Sequence, residues 1–131
     1  MQLTKTLFLV VSTGLMMSVN GDSYEPVEAA GEYHAVILEN ERVRVLSVEI
    51  GPGETVPLHQ HTMESVFITL QPSELVFRNK EGNVIKRAGP DDFKSLPHTE
   101  FRKAAPGPRS VTNTGNVSMR AIRVEFKDGG S

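Results

Sequence analysis

Cysteine is absent from this chain of 131 residues, so disulfide bonds and thiolate metal ligands are both excluded. A metal site would have to use imidazole, carboxylate, carbonyl or water ligands. The chain also lacks an excess of charge of one sign, since 14 Lys plus Arg stand against 16 Asp plus Glu. Without a basic stripe or a polybasic run, nothing indicates binding to nucleic acid or to an anionic membrane surface. The length suits one domain.

Long apolar runs are scarce, and the exception lies at the N-terminus. LFLVVSTGLMMSV, residues 7–19, carries no charge and follows the single lysine of MQLTK. The run is shorter than the roughly 20 residues that span a bilayer, but it suits the core of a signal peptide. We interpret residues 1–21 as a signal peptide and expect an exported protein, periplasmic or secreted, with no integral membrane span after processing. The alternative is a helix packed on the domain of a cytoplasmic protein.

The rest of the chain is predicted to be all-β. Residues 22–33 (DSYEPVEAAGEY) are acidic and poor in large apolar residues, so we interpret them as an N-terminal arm or linker. After them, short runs of alternating apolar residues are typical of strands, and no window has a convincing helical period. Gly82 should occupy the φ > 0 position of a hairpin loop. Residues 89–108 are rich in proline and are predicted to form a long loop with a short strand around Phe101.

In two of the predicted strands, the apolar residues move from odd-numbered to even-numbered positions along the strand. In residues 43–50 the apolar set passes from Val43 and Val45 to Leu46, and a similar change occurs within the last strand at Ile122. A shift of one residue turns the apolar side chains to the other face unless a bulge absorbs it. We therefore predict bent strands in a barrel or jelly roll.

Histidines are few, and two of them form an H-x-H pair. In GPGETVPLHQHTMESV, residues 51–66, His59 and His61 are two positions apart. On a strand, such residues project from the same face and could hold one ion. The alternative is that polar residues alternate on an edge strand, and this is the preferred interpretation for an isolated H-x-H.

The context of that pair resembles the cupin superfamily. ENERVRVLSVEIGPGETVPLHQH and SVTNTGNVSMRAIRVEFK carry the resemblance, which covers about residues 36–127. Gly53, His59 and His61 match the G-x5-H-x-H opening of the first cupin motif, and Asn113 and Gly115 match the turn that ends the second. The resemblance implies a single-domain cupin β-barrel over residues 34–128. It also implies a divalent metal, such as Mn, Fe, Ni or Zn, held at the barrel mouth, and a homodimer.

Departures from the family pattern affect the predicted ligands. The motif glutamate would fall at Ser65 or Val66, whereas Glu64 is one position early and would reach the metal only if the strand bulges. The second-motif histidine is replaced by Arg109, and a guanidinium stays protonated and cannot ligate a metal. The resemblance therefore implies a degenerate second motif, with His59, His61 and Glu64 as ligand candidates.

Two residues could complete the site. His98, in the predicted loop, could fold back over the barrel mouth as a third ligand or as a substrate-binding residue, although a solvent-exposed histidine is the alternative. Arg109 could form a cationic pocket together with the H-x-H pair, and this pocket would suit a carboxylate or phosphate. Alternatively, Arg109 could make an ordinary salt bridge. His34 opens the first strand, far from the motif, and is assigned no role.

Three functions remain open at this point. The first is an exported cupin that binds a divalent metal and acts on a small organic acid or similar metabolite. The second is a metal-free module that binds a small anion through Arg109, His59 and His61. The third is a structural domain in which residues 22–33 contribute a strand to a partner subunit.

Overall fold

A computed structural model describes residues 23–127, so the predicted signal peptide lies outside the described residues. Helices in the described part are short and lie outside the sheets: α1 (Pro26–Ala29) and two 3-10 turns (Gly31–Tyr33 and Pro90–Asp92). None of these helices has the length and apolar character that a membrane crossing requires. The strands are, in chain order, β1 (His34–Glu39), β2 (Val43–Ile50), β3 (Thr55–His59), β4 (Ser65–Gln71), β5 (Leu75–Asn79), β6 (Val84–Ala88), β7 (His98–Arg102), β8 (Arg109–Asn113) and β9 (Met119–Phe126).

The strands form two antiparallel sheets, which confirms the all-β prediction. One sheet has the order β1-β2-β9-β4-β7 and the other has the order β3-β8-β5-β6. Strands distant in sequence are neighbours in space, as in a jelly roll. The core lies between the sheets, and its largest apolar members are Leu46, Val48, Ile50, Val56, Phe67, Phe77, Val111 and Met119.

The apolar residues of β2 and β9 change from one face of the strand to the other for a different reason from the predicted one. The β2–β9 register runs without interruption along both strands, so the expected bulge is absent from this pair. Beyond Leu46 and Ala121, the core-facing positions are taken by charged residues, which are Arg44 on β2 and Arg123 and Glu125 on β9. The apolar residues change face because the inner face becomes charged. The prediction of a slip in β2 and β9 is therefore wrong.

The turn predictions agree with the structure. Gly82 has φ of 90° in the β5–β6 hairpin, where the Asn79 side chain accepts hydrogen bonds from two backbone N–H groups of the loop. Within the predicted long loop, β7 includes Phe101 and pairs with β4 at the edge of the five-stranded sheet.

The Asn113–Gly115 turn connects three segments of the barrel. Asn113 is fully buried, and its Nδ2 donates to the Ile50 and Val117 carbonyls at 2.9 and 2.8 Å. Its Oδ1 accepts from Ser73 Oγ and from the Gly115 N–H, both at 2.9 Å. A Cβ at Gly115 would collide with Ser73 Oγ, which explains why glycine is needed there.

Residues 23–33, interpreted from the sequence as a linker or arm, pack on the domain. The Tyr24 carbonyl accepts a 2.7 Å hydrogen bond from the Gln60 N–H, and Ala30 belongs to the core. The Glu25 side chain caps α1 by accepting from the N–H groups of Val27 and Glu28. The start of β1, at His34, thus lies beside the end of β3 and the H-x-H pair.

Candidate metal centre and anion cavity

Three histidines converge between the edges of the two sheets. His34 begins β1, His59 ends β3, and His61 follows two residues later; each is at most 4% exposed. One ring nitrogen of each lies within 4.8 Å of the others, and the ring centroids are 4.8–5.2 Å apart. His34, to which the sequence assigned no role, therefore belongs to the site. Among residues 23–127 this is the one group of three or more His, Asp or Glu side chains close enough to hold an ion.

Each imidazole has its Nδ1 engaged by an oxygen. Nδ1 lies 3.0 Å from the Ala30 carbonyl in His34, 2.8 Å from the Pro57 carbonyl in His59, and 3.2 Å from Glu125 Oε2 in His61. Carbonyl and carboxylate oxygens only accept, so the proton of each neutral ring lies on Nδ1. The three Nε2 atoms keep their lone pairs, and such hydrogen bonds orient histidines for metal binding.

The three rings are neutral at neutral pH. Burial lowers the pKa of His34, and it lowers the pKa of His59 to about 4. Burial also lowers the pKa of His61, and the positive charge of Arg123 adds to the effect. The contact between His61 and Glu125 is therefore a hydrogen bond from a neutral imidazole rather than an ion pair. Metal binding requires the neutral form, so no proton has to be displaced from these rings.

Glu64, predicted as a ligand, lies outside this group. Inward-facing positions of β4 begin at Ser65, so the alternation of the strand turns the preceding Glu64 outward, where it is exposed. Its backbone carbonyl accepts from the Phe126 N–H. The carboxylate next to the histidines is that of Glu125, which orients His61.

His98 and Arg109 line the same cavity as the three histidines. His98 begins β7, and its Nε2 lies 3.4 Å from Glu100 Oε1, so it is not part of the three-histidine group. Arg109 is the partner of His59 in the β3–β8 register, and its guanidinium lies 5.0 Å from the Phe77 ring centroid. No carboxylate of the described residues forms a salt bridge with Arg109.

The cavity has a volume of about 360 Å³ and a positively charged wall. Apolar side chains such as Phe67 and Phe77 form part of the lining. The ionisable lining residues outside the histidines are mostly cationic; they are Lys86, Arg87, Arg102, Arg109 and Arg123, against Asp92 and Glu100. Glu100 is already bonded to Arg102. The excess of positive charge makes the cavity complementary to an anion.

Arg123 is the most buried of these cations, and the sequence did not single it out. It is 4% exposed, and its Nη1 donates to Ser65 Oγ at 2.8 Å while its Nε has no hydrogen-bond partner. Burial, with the nearby charges of Arg102 and Arg109, lowers the pKa of Arg123 to about 9. It remains charged at neutral pH. The guanidiniums of Arg123 and Arg102 lie 4.9 and 3.8 Å from the Phe67 ring centroid, within cation–π range.

No protein-family model and no curated protein matches this sequence. Among solved structures, the fold is similar to a cupin domain from Bordetella pertussis Tohama I, with a TM-score of 0.58 and 22% identity over 72% of this chain and 91% of that chain. It is also similar to the polyketide cyclase RemF from Streptomyces resistomycificus, with a TM-score of 0.51 and 17% identity over 82% of this chain and 75% of that chain. A double-stranded β-helix protein from Klebsiella pneumoniae has a TM-score of 0.50 and 17% identity over 71% of this chain and 70% of that chain. Similarity at this level of identity shows the fold alone, and the described part of this chain has the cupin fold, a double-stranded β-helix.

Proposed function

We propose that this protein binds a divalent metal ion through Nε2 of His34, His59 and His61. The observation that carries the proposal is the set of three buried, neutral imidazoles whose Nδ1 atoms are all engaged by oxygens. Three protein ligands leave further coordination positions open, which is typical of catalytic rather than structural metal sites. Imidazole ligands suit Zn, Fe and Ni, and Mn is the remaining candidate.

We further propose that a small anion, such as an organic acid, binds in the cavity beside the metal. Arg109 forms no salt bridge among the described residues, and the buried Nε of Arg123 has no acceptor. A buried charge without a partner is costly, and a carboxylate or phosphate would satisfy both guanidiniums. When bound, the metal would supply Lewis-acid polarisation of a ligand oxygen. The two arginines would orient the ligand and hold its negative charge.

Metal analysis of protein purified without a histidine tag tests the metal site. We expect about one ion per chain, retained after dialysis, and its loss in each of His34→Ala, His59→Ala and His61→Ala. His98→Ala is the matched control, because His98 lines the same cavity outside the three-histidine group. Circular dichroism checks that each variant is folded. Full metal content in folded His34→Ala, or none in wild type after incubation with Zn²⁺, Mn²⁺, Ni²⁺ and anaerobic Fe²⁺, would reject this site.

The alternative function is a metal-free anion-binding module that uses Arg109 with His59 and His61. The lack of a salt bridge to Arg109 among the described residues favours anion binding with or without a metal. Titration of chelator-treated protein with phosphate and with small dicarboxylates separates the two functions. Undiminished affinity after chelation, with a loss in Arg109→Met, supports the module; loss of affinity after chelation supports the metal-dependent function.

Export and dimer formation are further proposals, supported by the sequence of residues 1–21 and by the cupin resemblance. The intact mass of protein recovered from an export-competent host tests the first, because cleavage should leave a chain that begins near Asp22. Sedimentation velocity tests the second. A full-length chain would contradict export, and a monomer at micromolar concentration would contradict the dimer.

A further inference from the structure

We propose that the N-terminal segment, residues 23–34, is part of the metal centre, and that Arg44 is the positioning residue that joins it to the other ligands. The inference rests on the proposed metal site. Metal binding and docking of this segment then stabilise each other. The carrying observation is that one guanidinium contacts both a carboxylate of the segment and the carboxylate that orients His61.

The segment provides both a ligand and the group that orients it. His34 is the last residue of the segment, and its Nδ1 contacts the Ala30 carbonyl, which lies within the same segment. At the other end, the Tyr24 carbonyl accepts from the N–H of Gln60, the residue between the two ligands of the H-x-H pair. The segment therefore contacts the backbone beside two ligands and provides the third.

A chain of polar contacts links the start of α1 to the metal site. Glu25 Oε2 is paired with Arg44 Nη2, and Arg44 Nε donates to Glu125 Oε1 at 2.7 Å. The other oxygen of Glu125 lies 3.2 Å from His61 Nδ1. The Glu125 side chain is 1% exposed and that of Arg44 is 12% exposed, so the Arg44–Glu125 contact is shielded from solvent, whereas the Glu25 side chain is 36% exposed. The position of Arg44 thus determines where Glu125 can hold His61.

The same glutamate also fixes the local structure of the segment. While Oε2 binds Arg44, Glu25 Oε1 accepts from the N–H groups of Val27 and Glu28 and so caps α1. A helix of four residues has no stability of its own, so the segment depends on its tertiary contacts. A ligand that binds only the docked state stabilises that state, and by reciprocity a looser segment weakens the ligand.

The first test needs no variant. Hydrogen exchange of wild-type protein is compared with and without stoichiometric Zn²⁺, and we expect the ion to slow exchange in residues 23–34 at least as strongly as at the backbone of the H-x-H pair. Substitution of a residue that orients a metal ligand weakens metal binding by about 10- to 100-fold. We therefore expect Glu25→Gln and Arg44→Lys to weaken Co²⁺ affinity by about ten-fold or more, measured from the visible absorption of the bound ion.

Glu49→Gln is the matched control. It breaks the exposed ion pair with Arg120, in which both side chains are more than half exposed, and should change neither metal affinity nor exchange. If wild-type protein binds no metal, the proposed function and this inference both fail. If wild-type protein binds metal but the ion does not slow exchange in residues 23–34, the inference alone is rejected. Unchanged Co²⁺ affinity in Glu25→Gln likewise rejects it and leaves the three-histidine site in place.

Discussion

Replacing Arg123 by methionine should stabilise the ligand-free protein while removing its anion binding. Arg123 is a buried cation with one hydrogen bond, to Ser65, and a buried Nε–H without a partner. Such an unsatisfied donor costs about 1–3 kcal/mol, and more when it is charged. The variant also loses a cation–π contact with Phe67 worth about 1–2 kcal/mol. Desolvation and the neighbouring charges of Arg102 and Arg109 disfavour the charged form of Arg123, as its lowered pKa indicates. We therefore expect the free energy of unfolding to rise by about 1–2 kcal/mol once the lost contacts are subtracted.

The assay is urea denaturation of metal-free protein at constant ionic strength, with and without phosphate or a dicarboxylate. Wild-type protein should become more stable as the anion concentration rises, because the anion binds the folded state. Arg123→Met should start from a higher stability and show little response. Arg120→Met is the control, since Arg120 lies on the same strand and is exposed. It should change neither the stability, beyond about 0.5 kcal/mol, nor the response.

Two results would refute this reasoning. If Arg123→Met were destabilised by more than about 1 kcal/mol without anions, the guanidinium would contribute net stability by itself. If the variant kept the full anion response, Arg123 would not contact the ligand. A response lost equally in Arg120→Met would indicate a general charge effect rather than a cavity.

Three further predictions concern pH, the glycine turn and the buried asparagine. Burial holds the pKa of His59 at about 4 in the folded protein, against 6.5 in the unfolded chain, so the unfolded chain takes up a proton first as pH falls. The titration of His59 alone should therefore lower the free energy of unfolding of metal-free protein by up to about 3 kcal/mol between pH 6.5 and 4. His34 and His61, whose pKa values are also lowered, add to this fall, and His59→Gln should lessen the slope in urea titrations. Gly115→Ala forces its new Cβ against Ser73 and should cost about 1–3 kcal/mol in thermal unfolding, whereas Gly107→Ala, with open space around it, should be near neutral; equal effects would contradict the packing argument. Asn113→Ala leaves two carbonyls without their donor and should cost about 1–3 kcal/mol for each one that water cannot reach, so a loss below 1 kcal/mol would contradict its buried role.

The fold and part of the site could be predicted from local sequence. Strand alternation and the Gly82 hairpin are properties of a few consecutive residues; they predict a barrel or jelly roll, and the structure has an all-β fold of this kind with that hairpin. The cupin fold in particular is implied by the family resemblance, which includes the G-x5-H-x-H spacing. His59 and His61 converge as predicted, although only His59 lies on β3 and His61 follows two residues beyond the end of that strand. Arg109, their predicted neighbour, lines the same cavity because β8 pairs with β3.

The charged residues of the inner face could not be predicted in the same way. Arg44 and Glu125 occupy core-facing positions, where alternation alone predicts apolar side chains, so the sequence pattern predicts a bend at a place where the inner face in fact becomes charged. Each is tolerated there because the other compensates its charge, and the two lie on strands at opposite ends of the chain.

By itself, the sequence determined the strands, the turns and one pair of histidines, because each depends on neighbours along the chain. Only the tertiary structure decided that His34 joins that pair and that Glu64 does not. Which strand edges meet depends on how the two sheets close, and this brings the start of β1 to the end of β3. The contact between His34 and the H-x-H pair cannot be predicted from their separation in the sequence. It arises because the whole domain folds so as to bury its apolar area.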